Sequence, residues 1–232
     1  MTQVCAIVGM GPGNGRALAQ RFTGEGWQVA MLSRNEARLK QYESEIRGTH
    51  AYPWDAADGE DAGAVFERIR EELGAISVLI YNAGAGVFKR FDEATLAEFE
   101  QVWRVNCLGL AAAAQAVVPQ LREHEQASLI ITGASAALRG RAGTAPFASA
   151  KAAQRSLAQS LARQLGPENI HVAHVVIDGV IDMPRTREAM PGKDDDFFLD
   201  AGAIADSIWF LAHQQRSAWT FELDLRPYAE QW

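Results

Sequence analysis

The sequence predicts an α/β protein, a single doubly wound parallel β-sheet with helices on both faces. Strand-like and helix-like stretches alternate along the chain. The strand candidates are continuous apolar runs, as expected where both faces of a sheet are covered. The first of them, Val4-Cys5-Ala6-Ile7-Val8, leads into four glycines within seven residues, Gly9-Met10-Gly11-Pro12-Gly13-Asn14-Gly15, and an alanine-rich helical pattern follows. A strand that stops at glycines and restarts as a helix is how such a sheet seats a phosphate. Bare backbone approaches the anion, and the first-turn N–H groups and the helix dipole attract it.

The remaining elements follow in order. Residues 28–32 form a second buried strand ending at Ser33-Arg34, and 35–47 have helical spacing. Residues 50–54 are a third strand candidate, demoted by Pro53 and ending at Asp55. Residues 60–73 read as an amphipathic helix with Ala64, Val65, Ile69 and Leu73 apolar. The fourth strand, 76–81, is stopped by Asn82-Ala83-Gly84-Ala85-Gly86. A long helical region spans 95–121, rich in alanine after Leu108, and 128–132 is the fifth strand. The helix over 146–165 has Pro146 near its first position and Gly166-Pro167 as its stop. The sixth strand is 170–177. The segment 182–200 is polar, carries Pro184 and Pro191, and reads as a mobile flap. A helix at 201–213 and a closing strand at 219–225 complete one domain over 1–232, with no linker or low-complexity tract. Right-handed crossovers put ligands at the carboxyl ends of the strands.

Composition bounds the function. A chain of 232 residues that is 48% hydrophobic holds a full core and is not disordered. A net charge of −7 without a basic run excludes a nucleic-acid binder. Cys5 and Cys107 lie far apart with no C-x-x-C, so neither a metal site nor a disulfide framework is expected. No basic segment precedes the first apolar run and no stretch is long enough to span a membrane, so a cytoplasmic protein is expected.

The common G-x-G-x-x-G/A spacing fails in every register, since from Gly9, Gly11 or Gly13 the third slot falls on Asn14, Arg16 or Leu18. G-x-x-x-G-x-G fits, as Gly9, Gly13 and Gly15. The strand ends then read Gly9–Gly15, Arg34, Asp55, Asn82-Ala83-Gly84 and Thr132 to Ser135, with Asn106 in the long helix and Lys151 in the next. This ordered set resembles the short-chain dehydrogenase/reductase family over nearly the whole chain, which implies a Rossmann-type sheet and a nicotinamide dinucleotide site. The resemblance implies that Gly9, Gly13 and Gly15 line the pyrophosphate turn around Asn14, and that Asp55 accepts from the adenine amino group beside the Ala56 N–H. It further implies that Asn82, Ala83 and Gly84 flank the adenosine ribose, that Lys151 holds the nicotinamide ribose, and that Asn106 is the helical asparagine of the site. Ser33 and Arg34 stand where an acidic residue would grip a ribose 2′-hydroxyl. Arginine suits a 2′-phosphate, so NADP(H) is expected over NAD(H), with Arg16 as a second cation.

The chain also departs from the family's pattern. The catalytic tyrosine, four residues before the lysine, is Phe147 here, on the same helix face but with no proton to give. Counting thirteen residues back reaches Ala134, with Ser135 one place on as the candidate serine. After the sixth strand, Gly179 and Ile181 fit the nicotinamide side. Asp178 replaces a proline there, and the usual threonine is absent. Asp178 is a candidate substitute proton donor or a turn cap. His171 and His174 read as structural histidines, and Arg139 and Arg141 border the substrate mouth. Two functions follow. One is an NADP(H)-dependent oxidoreductase acting on a small carbonyl or alcohol by an altered proton route. The other is a non-catalytic NADP(H)-binding sensor or partner subunit on the same fold. The alanine-rich faces of the two long helices (Ala111 to Ala114; Ala150, Ala152, Ala153) predict a homodimer or homotetramer.

Overall fold

A computed structural model describes residues 3–230; the two residues at each end of the expected 1–232 domain lie outside the described residues. The chain runs β1 (Val4–Val8), α1 (Asn14–Gly24), β2 (Gln28–Ser33), α2 (Glu36–Glu45), β3 (Thr49–Pro53), α3 (Ala62–Leu73) and β4 (Ile76–Tyr81). It continues through α4 (Leu96–Trp103), α5 (Gly109–Leu121), β5 (Ala127–Thr132), α6 (Ala145–Leu165) and β6 (Ile170–Ile177). It closes with β7 (Val180–Ile181), α7 (Pro184–Ala189), β8 (Phe198–Leu199), α8 (Ala201–Ala212) and β9 (Glu222–Leu225).

Seven strands form one parallel sheet in the order β3-β2-β1-β4-β5-β6-β9. The order turns back between β1 and β4, which opens a crevice at their carboxyl ends. Helices cover both faces because every strand residue of β1 is apolar. Val4, Ala6 and Val8 point into a core with Phe66, Ile69, Leu110 and Val117 of α3 and α5. Cys5 and Ile7 point into the opposite core with Leu18, Phe22, Leu39 and Ile208 of α1, α2 and α8. Each fully buried Val, Leu, Ile or Phe among them contributes roughly 1.5–3 kcal/mol.

The structure adds detail to four of these expectations. Residues 49–53 do form a strand, because β3 is at the sheet edge and Pro53 is its last residue, where a missing N–H costs little. The region 95–121 is not one helix: a π turn at Arg104–Leu108 separates α4 from α5. Thr95 caps α4 through a reciprocal pair with Glu98. The segment 182–200 carries regular structure. Within it Arg187 of α7 donates two hydrogen bonds of 2.7 Å to Asp182, reaches Asp195 at 2.6 Å and lies over the Phe198 ring of β8. The closing strand begins only at Glu222, because Trp219 instead stacks flat on His171.

Candidate functional site

The first half of the site is the floor of a cleft of about 1050 Å³ across the ends of β1 to β4. Gly9 has a positive φ of 96°, and a Cβ on it would meet the Ala83 nitrogen at 2.4 Å, so the turns after β1 and β4 touch backbone to backbone. The Asn82 side-chain amide donates to the Gly9 carbonyl at 2.9 Å, and Thr132 donates to Asn82. Gly15 begins α1 against Met10, where a Cβ would come within 2.9 Å. Gly13 caps α1 without a side chain, which leaves the first-turn N–H groups with no side-chain acceptor; Asn14 is buried with its Oδ1 unpartnered. Ile181 and Met183, from the segment after β6, lie against Gly13 at ordinary contact distance.

Ser33, Arg34, Asp55, Asn82, Ala83 and Gly84 all line this cleft. The Ser33 hydroxyl is buried without a partner, and Arg34 is exposed and has no ion pair among the described residues. Asp55 accepts from the Ala57 N–H at 2.9 Å, so one carboxylate oxygen caps its own turn. Arg16 is not the second cation: it pairs with Glu45 at 2.9 Å and lies over the Tyr42 ring, on the outside of α2. Arg38, in the first turn of α2, lines the cleft in its stead, together with the opposing carboxylate of Glu36.

The second half of the site gathers around Lys151. Its Nζ donates to the Thr132 carbonyl at 3.0 Å and to Gln154 Oε1 at 2.9 Å. The side chain is buried, and desolvation pulls its pKa down to about 7. Asn106 sits in the π turn and donates to the Ala85 and Val102 carbonyls at 2.8 Å each, while its Oδ1 is buried and unpartnered. Both groups face Gly84: a Cβ there would be 3.5 Å from Asn106 Oδ1 and 3.8 Å from Lys151 Nζ. The ends of β4 and β5, helix α6 and the π turn thus place an ammonium and an amide oxygen at one notch.

Phe147 stands at the start of α6, half-buried, with its ring 5.3 Å from that of Phe88. A Cβ at Gly86 would meet Phe88 at 2.8 Å and Phe147 at 3.4 Å, so these two rings wall the loop that carries the Ala85 carbonyl. Ser135 opens a 3₁₀ turn packed on α6, and its hydroxyl makes no hydrogen bond among the described residues. Asp178 lies between Arg139 and Arg226, each 3.8 Å away, which gives it the place of an ion-pair partner rather than of a group free to reach a substrate. Gly179 packs under Pro227 and Leu199, so its lack of a Cβ serves the C-terminal segment. Arg141 is exposed in the loop before α6.

The histidines are buried and structural, but one touches the site. His171 bonds the Leu211 and Thr220 carbonyls. His174 bonds Glu222 at 3.1 Å, and Glu222 takes two hydrogen bonds from Arg155. The His174 ring fills the space a Cβ on Gly133 would need, at 2.2 Å. Burial pulls its pKa down to about 4 despite Glu222. Sequence reasoning missed Arg38, Gly133 and Gln154. A polar residue three places after Lys151, on an otherwise small-residue face, was the available signal for Gln154.

Among the described residues no cluster of His, Cys, Asp or Glu could hold a metal ion, and no helix is long and apolar enough to cross a membrane. A family model described as short chain dehydrogenase matches residues 3–193. The 3-oxoacyl-[acyl-carrier-protein] reductase of Homo sapiens is 25% identical over 189 residues, 81% of this chain and 79% of that protein. A short-chain dehydrogenase structure from Rhodopseudomonas palustris is similar at a TM-score of 0.84 and 34% identity, covering 97% of this chain and 99% of that one. An NADPH-bound short chain oxidoreductase from Pseudomonas aeruginosa PAO1, with an atypical catalytic center, shares the fold at a TM-score of 0.90 and 21% identity, covering 99% of this chain and 97% of that one.

Proposed function

The chain belongs to the short-chain dehydrogenase/reductase family, and on that premise we propose that it is an NADP(H)-dependent oxidoreductase acting on a small carbonyl or alcohol through an altered proton site. The observation that carries this reading is the notch at Gly84, where Lys151 Nζ and Asn106 Oδ1 converge with unspent hydrogen-bonding capacity. A pure binding fold has no need of a buried ammonium there, since burying a lysine without a carboxylate is costly.

The residues present fit a dinucleotide. Orphaned buried atoms on Ser33 and Asn14 line the turns that would hold it, and the uncapped start of α1 suits a phosphate. Gly9, Gly13, Asn14 and Gly15 would take the pyrophosphate, and Asp55, Asn82, Ala83 and Gly84 the adenosine. Arg34, with Arg38 beside it, would meet a 2′-phosphate. Lys151 and Asn106 would hold the nicotinamide ribose, with Ile181 at the nicotinamide side. The bound nicotinamide supplies the hydride. Ser135 would offer its hydroxyl to a carbonyl oxygen, and the Phe88 and Phe147 rings make the neighbouring wall apolar. The general acid that a phenol at position 147 would provide is missing, and such a group contributes about 10²–10⁴-fold.

That absence favours the second reading, a non-catalytic NADP(H)-binding sensor or partner subunit. NADPH fluorescence titration followed by a panel of carbonyl substrates separates the two. Tight NADPH binding with measurable oxidation on one substrate supports the enzyme, and binding with no turnover on any, Phe147→Tyr included, supports the binder. Arg34→Ala is expected to weaken NADPH about tenfold and NADH little; equal loss for both would refute the cofactor preference.

A further inference from the structure

Gln154 lies one turn beyond Lys151 on α6 and is fully buried. Its amide is spent in both directions. Oε1 accepts from Lys151 Nζ at 2.9 Å, and Nε2 donates to the Asn106 carbonyl at 2.8 Å, inside the π turn. One side chain therefore ties the lysine of the notch to the backbone of the asparagine that shares it. Lys151 has two of its three N–H groups committed, to Gln154 and to the Thr132 carbonyl, and both acceptors are neutral.

We propose that Gln154 is a positioning residue for the dinucleotide: its buried amide fixes the Lys151 ammonium against the π turn and gives it a neutral partner in place of a carboxylate. This rests on the reading that Lys151 meets the nicotinamide ribose. The position decides where the third N–H points, and the neutrality of the partner leaves the charge of Lys151 free to change with pH.

The charged surroundings agree. On β6, His174 feels Lys151, and its own pKa is lowered partly by that charge. Behind the histidine, Glu222 of β9 is neutralised by Arg155 of α6. Cys107 of the π turn and Tyr81 of β4 are pushed up by burial and stay protonated at neutral pH. No carboxylate among the described residues pairs with Lys151, and desolvation alone brings it to about 7. A glutamine, which accepts a hydrogen bond without carrying charge, preserves that state, whereas a glutamate would hold the proton on the lysine.

The test uses the whole chain, whose four lysines are Lys40, Lys89, Lys151 and Lys193. With ¹⁵N-lysine label, the Nζ signal lost in Lys151→Met identifies Lys151. Its titration midpoint is expected near 7 in the wild type. In Gln154→Glu it should rise by more than about one pH unit, and in Gln154→Met it should fall, because a hydrogen-bonded acceptor of the charged form is lost. NADPH fluorescence titration at pH 6 and pH 8.5 gives the second readout. Wild-type affinity is expected to drop several-fold between the two, and Gln154→Glu to flatten that drop. An unchanged midpoint in both variants, or a wild-type Lys151 that titrates with the other lysines, overturns the proposal. So does a shifted midpoint with unchanged pH dependence of NADPH binding. If NADPH binds the wild type at neither pH, the dinucleotide reading falls, and the Nζ titration still decides whether Gln154 sets the state of Lys151.

Discussion

Position 147 carries a phenyl ring, with no proton to give, one turn before Lys151 on the same face of α6. The ring packs on Phe88 and not on a polar neighbour, so the change is accommodated by an apolar wall. Phe147→Tyr is expected to raise carbonyl reduction by about 10²-fold or more and to leave NADPH affinity within about threefold, measured by steady-state kinetics and fluorescence titration. Lys151 carries a stability consequence with a definite sign. Its folded pKa of about 7 lies below its ordinary 10.5. Between those values the unfolded chain holds a proton that the folded chain does not, so this residue makes stability rise with pH from about 7 to 10. Below 7 both states are protonated and the full burial penalty applies. Lys151→Met is therefore expected to be more stable than the wild type at pH 6.5, by about 1–3 kcal/mol. The gap should close as the pH approaches 10 in thermal or urea unfolding.

Among the elements, the tightest joint is between the β1 and β4 turns. Gly9 has both a positive φ and no room, since a Cβ would fall 2.4 Å from the Ala83 nitrogen. Gly9→Ala is expected to cost about 2–4 kcal/mol in chemical denaturation and to abolish NADPH binding, because backbone must move on both turns. Gly11→Ala, whose Cβ would meet nothing within 4 Å, is the control and should unfold like the wild type. The turn after β5 has a similar joint of another kind. Gly133 leaves space for the buried His174 ring, so a residue of β6 shapes the loop that carries Ser135. The π turn is the third device. It lets Asn106 donate to two carbonyls and hands its own carbonyl to Gln154.

The whole molecule is built on a seven-stranded parallel sheet whose site lies across the carboxyl ends of its strands. Its outer surface bears on association. Ala113, Ala114 and Ala150, three of the seven alanines expected to meet a second copy, are buried in the protein's own core. Exposed apolar side chains lie instead on and before α4, with Leu96 86% and Phe91 75% exposed, and Trp103 on the next turns. An assembly of the kind expected from the sequence would bury them. Leu96→Glu with Trp103→Glu is expected to convert the assembly to a monomer in sedimentation velocity without lowering thermal stability of the protomer by more than about 1 kcal/mol. A wild type that already sediments as a monomer would refute this.

What the sequence determined by itself was the order of strands and helices, the glycine turn and the chemistry gathered at the strand ends. Those are local: apolar runs, glycines and caps act over a few residues, and right-handed crossovers leave few ways to arrange them. The resemblance to the family marked Phe147 as a departure, and the helix period put 147 and 151 on one face. Tertiary structure decided the pairings. Arg16 is drawn to Glu45 and Asp178 to two arginines, charges that meet only after the chain folds. Pro53 is tolerated because β3 lies at the edge, a fact of sheet order and not of composition. Whether the buried ammonium of Lys151 faces a carboxylate or the neutral Gln154 depends on which side chains the packed core brings within 3 Å. Desolvation, which sets the charge of Lys151, belongs to the whole fold.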